Sequence, residues 1–203
     1  LRGLFSLQYY YDQIAEIDLS TESDPQSIAL PGFSYRNTEN GFRVYENTAY
    51  VPMGFTFDQY ITESDWEACA DNKRASLLMH AIVLNDRQVE QYGSNMQRMD
   101  SDHTTCTKEH YLEDCAARAA SSCDSFTYDS NGFTATISAK SDNLVFFSVP
   151  YEAGWSATVD GKPVSIEQVD VGFMAVPVEA GDHTIVCTYE TPGLHAGLLL
   201  SAG

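Results

Sequence analysis

The amino-acid sequence predicts an α+β protein whose C-terminal part is an antiparallel β-sandwich of the jelly-roll or immunoglobulin-like kind. Three observations carry this expectation. From residue 125 onward, apolar and polar residues alternate with a period of two. The alternating runs are separated by short Gly-containing turns at Asn131-Gly132, Asp160-Gly161 and Ala180-Gly181-Asp182. Before residue 124, two stretches show helical spacing instead. The expected division is a mixed α/β part over 1–124, a sandwich over 125–192 and a distinct tail over 193–203.

Residues 4–17 are rich in aromatic side chains and read as a strand, followed by an acidic loop through Asp24-Pro25. The runs 32–37 and 42–46 flank Asn40-Gly41, whose tolerance of positive φ is a hairpin signal. Phe55, Phe57 and Ile61 against Thr56, Asp58 and Tyr60 suggest another strand. Ser64-x-x-Glu67 fits a capping box that opens a helix over about 63–84. Trp66, Cys69, Ala70, Leu77, Leu78, Ala81 and Leu84 would form its apolar face, unless Lys73 and Arg74 break it into two short helices. Residues 86–104 lack a pattern and read as irregular. A second helix is expected over 106–121, with Tyr111, Leu112, Cys115, Ala116 and Ala119 on one face and acids in its first half. In the C-terminal part, Phe133, Ala135 and Ile137 alternate with Thr134, Thr136 and Ser138. Leu144–Val149 is a continuous apolar run, as in a strand covered on both faces. Trp155, Ala157 and Val159 alternate with Ser156 and Thr158, and strands follow at 163–166, 173–178 and 184–189.

Composition narrows the function classes. Eleven Lys and Arg against 29 Asp and Glu give a net charge of −18, which argues against nucleic acid and against lying flat on an anionic bilayer. The 43% hydrophobic content excludes a disordered chain. Five cysteines, Cys69, Cys106, Cys115, Cys123 and Cys187, are an odd number, so at least one is unpaired. A disulfide among the middle three stays open; the simplest reading makes them small buried apolar residues. Asp102, His103, Cys106, His110 and Cys115 can be drawn as a metal site, but positions 106, 110 and 115 do not share one helix face. Asp124, Asp129, Ser130 and Asn131 are better read as turn residues than as a calcium loop. No nucleophile elbow, P-loop, dinucleotide fingerprint or zincin helix is present, so no catalytic residue, cofactor or metal ligand is assigned. For glycan contact the candidates are Tyr151, Trp155 and Tyr189, whose rings could stack on sugar faces, with Asp160 for hydroxyls. The alternation of Trp155 with Ala157 and Val159 favours a core position for that ring.

The segment Phe147-Ser148-Val149-Pro150-Tyr151-x3-Trp155-x4-Asp160-Gly161-Lys162-Pro163-Val164 leads on to Phe173-Met174-x3-Val178. Then come Ala180-Gly181-Asp182-His183-Thr184-Ile185 and Tyr189-x2-Pro192-Gly193-Leu194-x2-Gly197. This run resembles the C-terminal extracytoplasmic region of the YfhO family, bacterial multi-pass membrane proteins related to membrane glycosyltransferases. Leu4–Tyr10, Val44-Tyr45-Glu46-Asn47 and Pro52-Met53-Gly54-Phe55 also fit, so the resemblance covers most of the chain and is weakest over 86–125. It implies a parent protein that takes a lipid-linked sugar and glycosylates cell-envelope polymers such as lipoteichoic acid. Its catalytic carboxylates would lie in loops near N-terminal membrane helices, a segment with no counterpart here. On that reading this chain is a non-catalytic accessory domain on the extracytoplasmic face of the cell membrane. Its partners are the membrane-embedded remainder of the same chain and a cell-envelope glycan, with no nucleic acid. The uncharged stretch over 193–203 is either a last strand or frayed tail, or the start of a following membrane helix. Both ends would then be cuts through a longer protein. The alternatives are a non-catalytic carbohydrate-binding or adhesive β-sandwich of a cell-surface protein, or a free-standing enzyme.

Overall fold

A computed structural model describes residues 4–13, 32–100 and 107–193. The chain is strand-rich, with several antiparallel sheets and four α-helices among the described residues, an α+β arrangement. The N-terminal sheet consists of β1 (Tyr9–Gln13), β2 (Phe33–Glu39) and β3 (Phe42–Asn47) in the order β1-β3-β2, all antiparallel. Asn40 and Gly41 turn β2 into β3 with φ of 51° and 80°, the two positive values that a type I′ hairpin requires. The expected strand over 4–17 is thus shorter than its aromatic composition suggests, and residues 14–17 lie outside the described ones.

The run expected as one strand after Tyr50 is two. Phe57-Asp58 separates β4 (Phe55–Thr56) from β5 (Gln59–Thr62), and the two join different sheets. The helix expected over 63–84 is divided more finely still. Thr62, not Ser64, caps α1 (Glu63–Ala68) by accepting from the Asp65 amide at 3.1 Å. α2 (Asp71–His80) follows, and 82–84 leave the helix to form β6 (Ile82–Leu84), a fully buried strand parallel to β5. The stretch 86–104, expected to be irregular, holds α3 (Asp86–Tyr92), a 3-10 turn and β7 (Gln97–Arg98), which pairs parallel to the other side of β5. Sequential crossovers through helices are what parallel pairing demands. α4 (Lys108–Ala120) matches the second expected helix, capped by Thr107. On its expected face Cys115 is buried, but Ala116 is exposed and Arg118 is buried in its place.

The C-terminal strands are β8 (Ser125–Tyr128), β9 (Gly132–Ala139), β10 (Asn143–Pro150), β11 (Trp155–Val159), β12 (Lys162–Val164), β13 (Glu167–Val169), β14 (Phe173–Val178) and β15 (Gly181–Tyr189). They form two antiparallel sheets, β12-β11-β15-β9-β8 and β13-β14-β10-β4. Phe133, Ala135, Ile137, Ile185 and Cys187 of the first share one hydrophobic cluster with Val145, Phe147, Met174, Val176 and Val178 of the second. The apolar run in β10 lies between β14 and β4, and its Leu144, Val145, Phe146 and Phe147 are all inaccessible to water. Odd and even positions of β10 serve different cores. Val145 and Phe147 face the first cluster, while Leu144 and Phe146 join Leu4, Val51, Phe55, Phe57, Met79, Ile82 and Leu84 in a second. This second cluster places β6 and α3 against β13 and β14. No described helix is long and apolar enough to cross a membrane.

Candidate functional site

The side chains that converge most closely do so where α3 and β6 meet the β13–β14 hairpin. Asn85 begins the construction. Its side chain accepts from the Gln88 amide at 3.0 Å, and Gln88 Oε1 accepts from the Asn85 amide at 3.1 Å, a reciprocal capping box. That cap fixes Gln88, which is buried and donates through Nε2 to Glu167 Oε2 at 3.0 Å and to the Gln168 carbonyl at 2.9 Å. Glu167 is 4% exposed and accepts further from Tyr92 Oη at 3.1 Å and from both Nη atoms of Arg87. Burial pushes the Glu167 carboxyl up, but the Arg87, Gln88 and Tyr92 donors outweigh it and the net shift is down. Tyr92 responds oppositely: burial, then the adjacent Glu167 charge, push its phenol up to about 12.

Asp170 lies three residues beyond Glu167, in the turn from β13 to β14. Its amide donates to the Val83 carbonyl at 3.2 Å and its Oδ1 accepts from the Val83 amide at 2.6 Å. The residue thereby completes the edge of β6 as a neighbouring strand would. Oδ2 is buried and has no hydrogen-bond partner among the described residues. Burial pushes this carboxyl up to about 8, the Val83 N–H offsetting only part of the effect. Holding it there requires φ of 48° at Asp170 and 62° at Val171. A β-branched residue in that region is strained, a feature that collects at functional sites.

Asn85, Arg87, Gln88, Glu167 and Asp170 line a cleft of about 440 Å³, with Glu63, Ile166 and Tyr151 on its walls. Tyr151 is exposed, and its amide donates to the Gly172 carbonyl at 2.8 Å. The arrangement offers one aromatic face, amide groups, an exposed guanidinium and a carboxyl that is protonated at neutral pH.

The other residues marked for glycan contact fall elsewhere. Trp155 and Tyr189 pair across β11 and β15 with ring centroids 5.1 Å apart. Trp155 is half-buried against the core, 5.7 Å from the Phe133 ring, and the Tyr189 hydroxyl donates to Glu152 Oε2 at 2.8 Å. Asp160 is at the opposite end of β11, where it accepts from the Thr184 amide at 2.9 Å and bonds His183 Nδ1 at 2.7 Å. It borders a second cleft, with Gln91, Asn95, Asn143 and Lys162. The structure therefore brings Trp155 and Tyr189 together and leaves Tyr151 and Asp160 in two separate clefts flanking α3.

Cys69, Cys115, Cys123 and Cys187 are free thiols. Burial raises the Cys115 thiol and pushes those of Cys123 and Cys187 up to about 12, so none of these three is poised as a thiolate. Asp102, His103 and Cys106, three of the five residues of the drawn metal set, lie outside the described residues. Sequence reasoning missed Arg87, Gln88, Glu167 and Asp170. Two signals were available: Asn85-x-x-Gln88 is a capping-box pattern, and Asp170 is an acid between Val169 and Val171.

Residues 105–201 match the family model described as bacterial membrane protein YfhO. The Bacillus subtilis (strain 168) protein named "Uncharacterized protein YfhO" is 28% identical over 78 residues, which are 38% of this chain and 9% of that relative. The aligned part thus spans less than a tenth of the relative's length. No solved structure matches the chain.

Proposed function

We propose, from its membership of the YfhO family of bacterial membrane proteins, that this chain is the extracytoplasmic accessory domain of a membrane glycosyltransferase-like protein that glycosylates cell-envelope polymers. On this reading its two C-terminal antiparallel sheets act as a β-sandwich scaffold, and the membrane-embedded remainder of the same protein performs the chemistry. The cleft beside Asp170 holds a neutral sugar of the acceptor. The observation that carries the last step is the cleft's composition. An exposed tyrosine lines the same cleft as several amides, the Arg87–Glu167 pair and a buried carboxyl, in a protein of net charge −18. Sugar rings stack on aromatic faces and hydrogen-bond to such groups, whereas a polyanion would meet an opposing field.

The test uses the whole parent protein in its bacterial host. Tyr128 is 82% exposed, so a Tyr128→Cys variant should react with a membrane-impermeant maleimide on intact cells. Tyr151→Ala added to that variant should leave it folded and labelled while the sugar content of envelope polymers falls. Labelling only after lysis would refute the extracytoplasmic placement, and unchanged envelope glycosylation in Tyr151→Ala would refute the role of the cleft. Glycan binding with no effect on transfer would instead favour a carbohydrate-binding or adhesive domain.

A further inference from the structure

The last turn of α4 holds a second feature, away from the Asp170 cleft. Arg118 is 4% exposed, and its guanidinium lies 4.8 Å from the centre of the Phe57 ring. Nη2 donates to Asp58 Oδ1. Nε and Nη1 are buried and have no partner among the described residues. A guanidinium presents five N–H donors in a planar fork that matches oxyanion geometry, and buried donors are seldom left unused. The helix terminus does not absorb them, because the Arg118 carbonyl is already taken by the Ser121 amide and hydroxyl.

Arg118 lines a cleft of about 540 Å³ between α4, the Thr56–Asp58 turn and the β9–β10 hairpin. Lys140 of that hairpin lines the same cleft and takes no ion-pair partner among the described residues. Gln97 and Ser141 supply further donors, beside Ser94 and Asn143, whose side chains donate to Asn95 Oδ1 and the Phe57 carbonyl. Two cations face a single acid here, although the chain as a whole carries −18. The acid, Asp58, has a side chain 69% exposed while that of Arg118 is 5% exposed. The carboxylate therefore reaches in from the mouth and can swing away into water.

We propose that this cleft binds an oxyanion of the phosphoryl class, and that Asp58 holds Nη2 of the guanidinium as an internal stand-in until the ligand displaces it. The two positive charges match a phosphate dianion, and the surrounding hydroxyls and amides match its remaining oxygens. The inference is independent of the glycan reading, because the two clefts share no lining residue.

The experiment titrates the 203-residue chain with inorganic phosphate at constant ionic strength, following the Arg118 Nε–H resonance. A saturable shift at millimolar phosphate is expected, with acetate about tenfold weaker. Asp58→Asn should tighten phosphate about tenfold and Lys140→Ala should weaken it about tenfold. Both positions are exposed, so both variants should fold. Asp142→Asn, which removes an acid from the same hairpin outside the cleft, should change affinity less than about twofold, since screening suppresses distant charges. Glycerol 3-phosphate and phosphatidylglycerol vesicles separate the sources: Lys140-dependent co-sedimentation identifies a lipid headgroup, and binding of the ester alone identifies a soluble or polymeric phosphate. No saturable shift in either the parent chain or Asp58→Asn overturns the proposal. So does equal tightening by Asp58→Asn and Asp142→Asn.

Discussion

Replacing Asp170 by Asn should stabilise the protein, and by an amount that depends on pH. The folded carboxyl sits near pH 8, while in the unfolded chain it ionises near the ordinary value of about 3.9. Between these values the native state binds the extra proton, so this residue's contribution falls as pH rises from about 4 to about 8 and is level outside that window. Each unit of difference corresponds to about 1.4 kcal/mol, so at pH 7 keeping the group protonated costs about 4 kcal/mol, an upper bound. Asparagine keeps the oxygen that accepts from the Val83 amide at 2.6 Å and carries no titrating proton. Its Nδ2 replaces an Oδ2 that has no partner either, so no hydrogen bond is lost. Urea unfolding of both proteins at pH 4, 5, 6, 7 and 8 should give curves that coincide at the acid end and diverge by about 1.4 kcal/mol per unit. Taking the difference removes the other carboxylates, which act in both chains alike. A difference that stays constant across the range, or an Asn variant less stable at pH 7, would refute the argument.

Glu167→Ala should destabilise the fold by about 3 kcal/mol, because it leaves the buried Gln88 amide and Tyr92 hydroxyl without an acceptor; thermal melting checks it, and an unchanged midpoint contradicts the network. Since the Glu167 carboxyl is held below its ordinary range, its stabilisation is present above the unfolded value of about 4.3 and is lost as pH falls through the folded one. Trp155→Ala should cost about 3 kcal/mol, the low end for a large aromatic, because the ring is only half-buried; full stability combined with lost glycan binding would make the ring a ligand platform instead. Gly132→Ala should be far more costly than Gly161→Ala. A Cβ at 132 would fall 2.0 Å from the Cys187 carbonyl oxygen, whereas one at 161 meets nothing within 4 Å and costs only its strained φ. Equal melting temperatures for the two variants would contradict the close approach of β9 and β15.

The C-terminal strands were legible because their signal is local. The alternation of Phe133, Ala135 and Ile137 reports one buried face, and all three are buried. The unbroken run at Leu144 reports two, and β10 is indeed central in its sheet. α3 escaped because the residues it buries include Gln88, a polar side chain satisfied across the junction. Without an apolar stripe, only the Asn85 cap announced it. β6 escaped because a short buried parallel strand and the end of a buried helix are both plain apolar runs. The candidate site was illegible for a different reason. Gln88 meets Glu167 across 79 positions and Val83 meets Asp170 across 87. That proximity comes from parallel pairing of β5 and β6 and the docking of β13, and no spacing within either segment encodes it.

The charge of −18 acquires a direction once the cations are located. Arg36, Arg74, Arg87, Arg98 and Arg118 each hold an acid of the fold, Glu46, Asp71, Glu167, Asp65 and Asp58 respectively. Five of the eleven basic residues are thus committed to internal ties, and the field they leave behind is more uniformly negative than composition alone suggests. Such a surface repels anionic polymers over roughly the 8–10 Å screening length. An anionic ligand is then admitted only where a cation is incompletely engaged, and Arg118 fits that condition, with two of its donor nitrogens unpartnered. The Asp170 cleft follows the opposite rule. Its guanidinium is bound by Glu167 and its buried Asp170 carboxyl is neutral at pH 7, so with Glu63 also on its wall it offers an anion no unpaired cation.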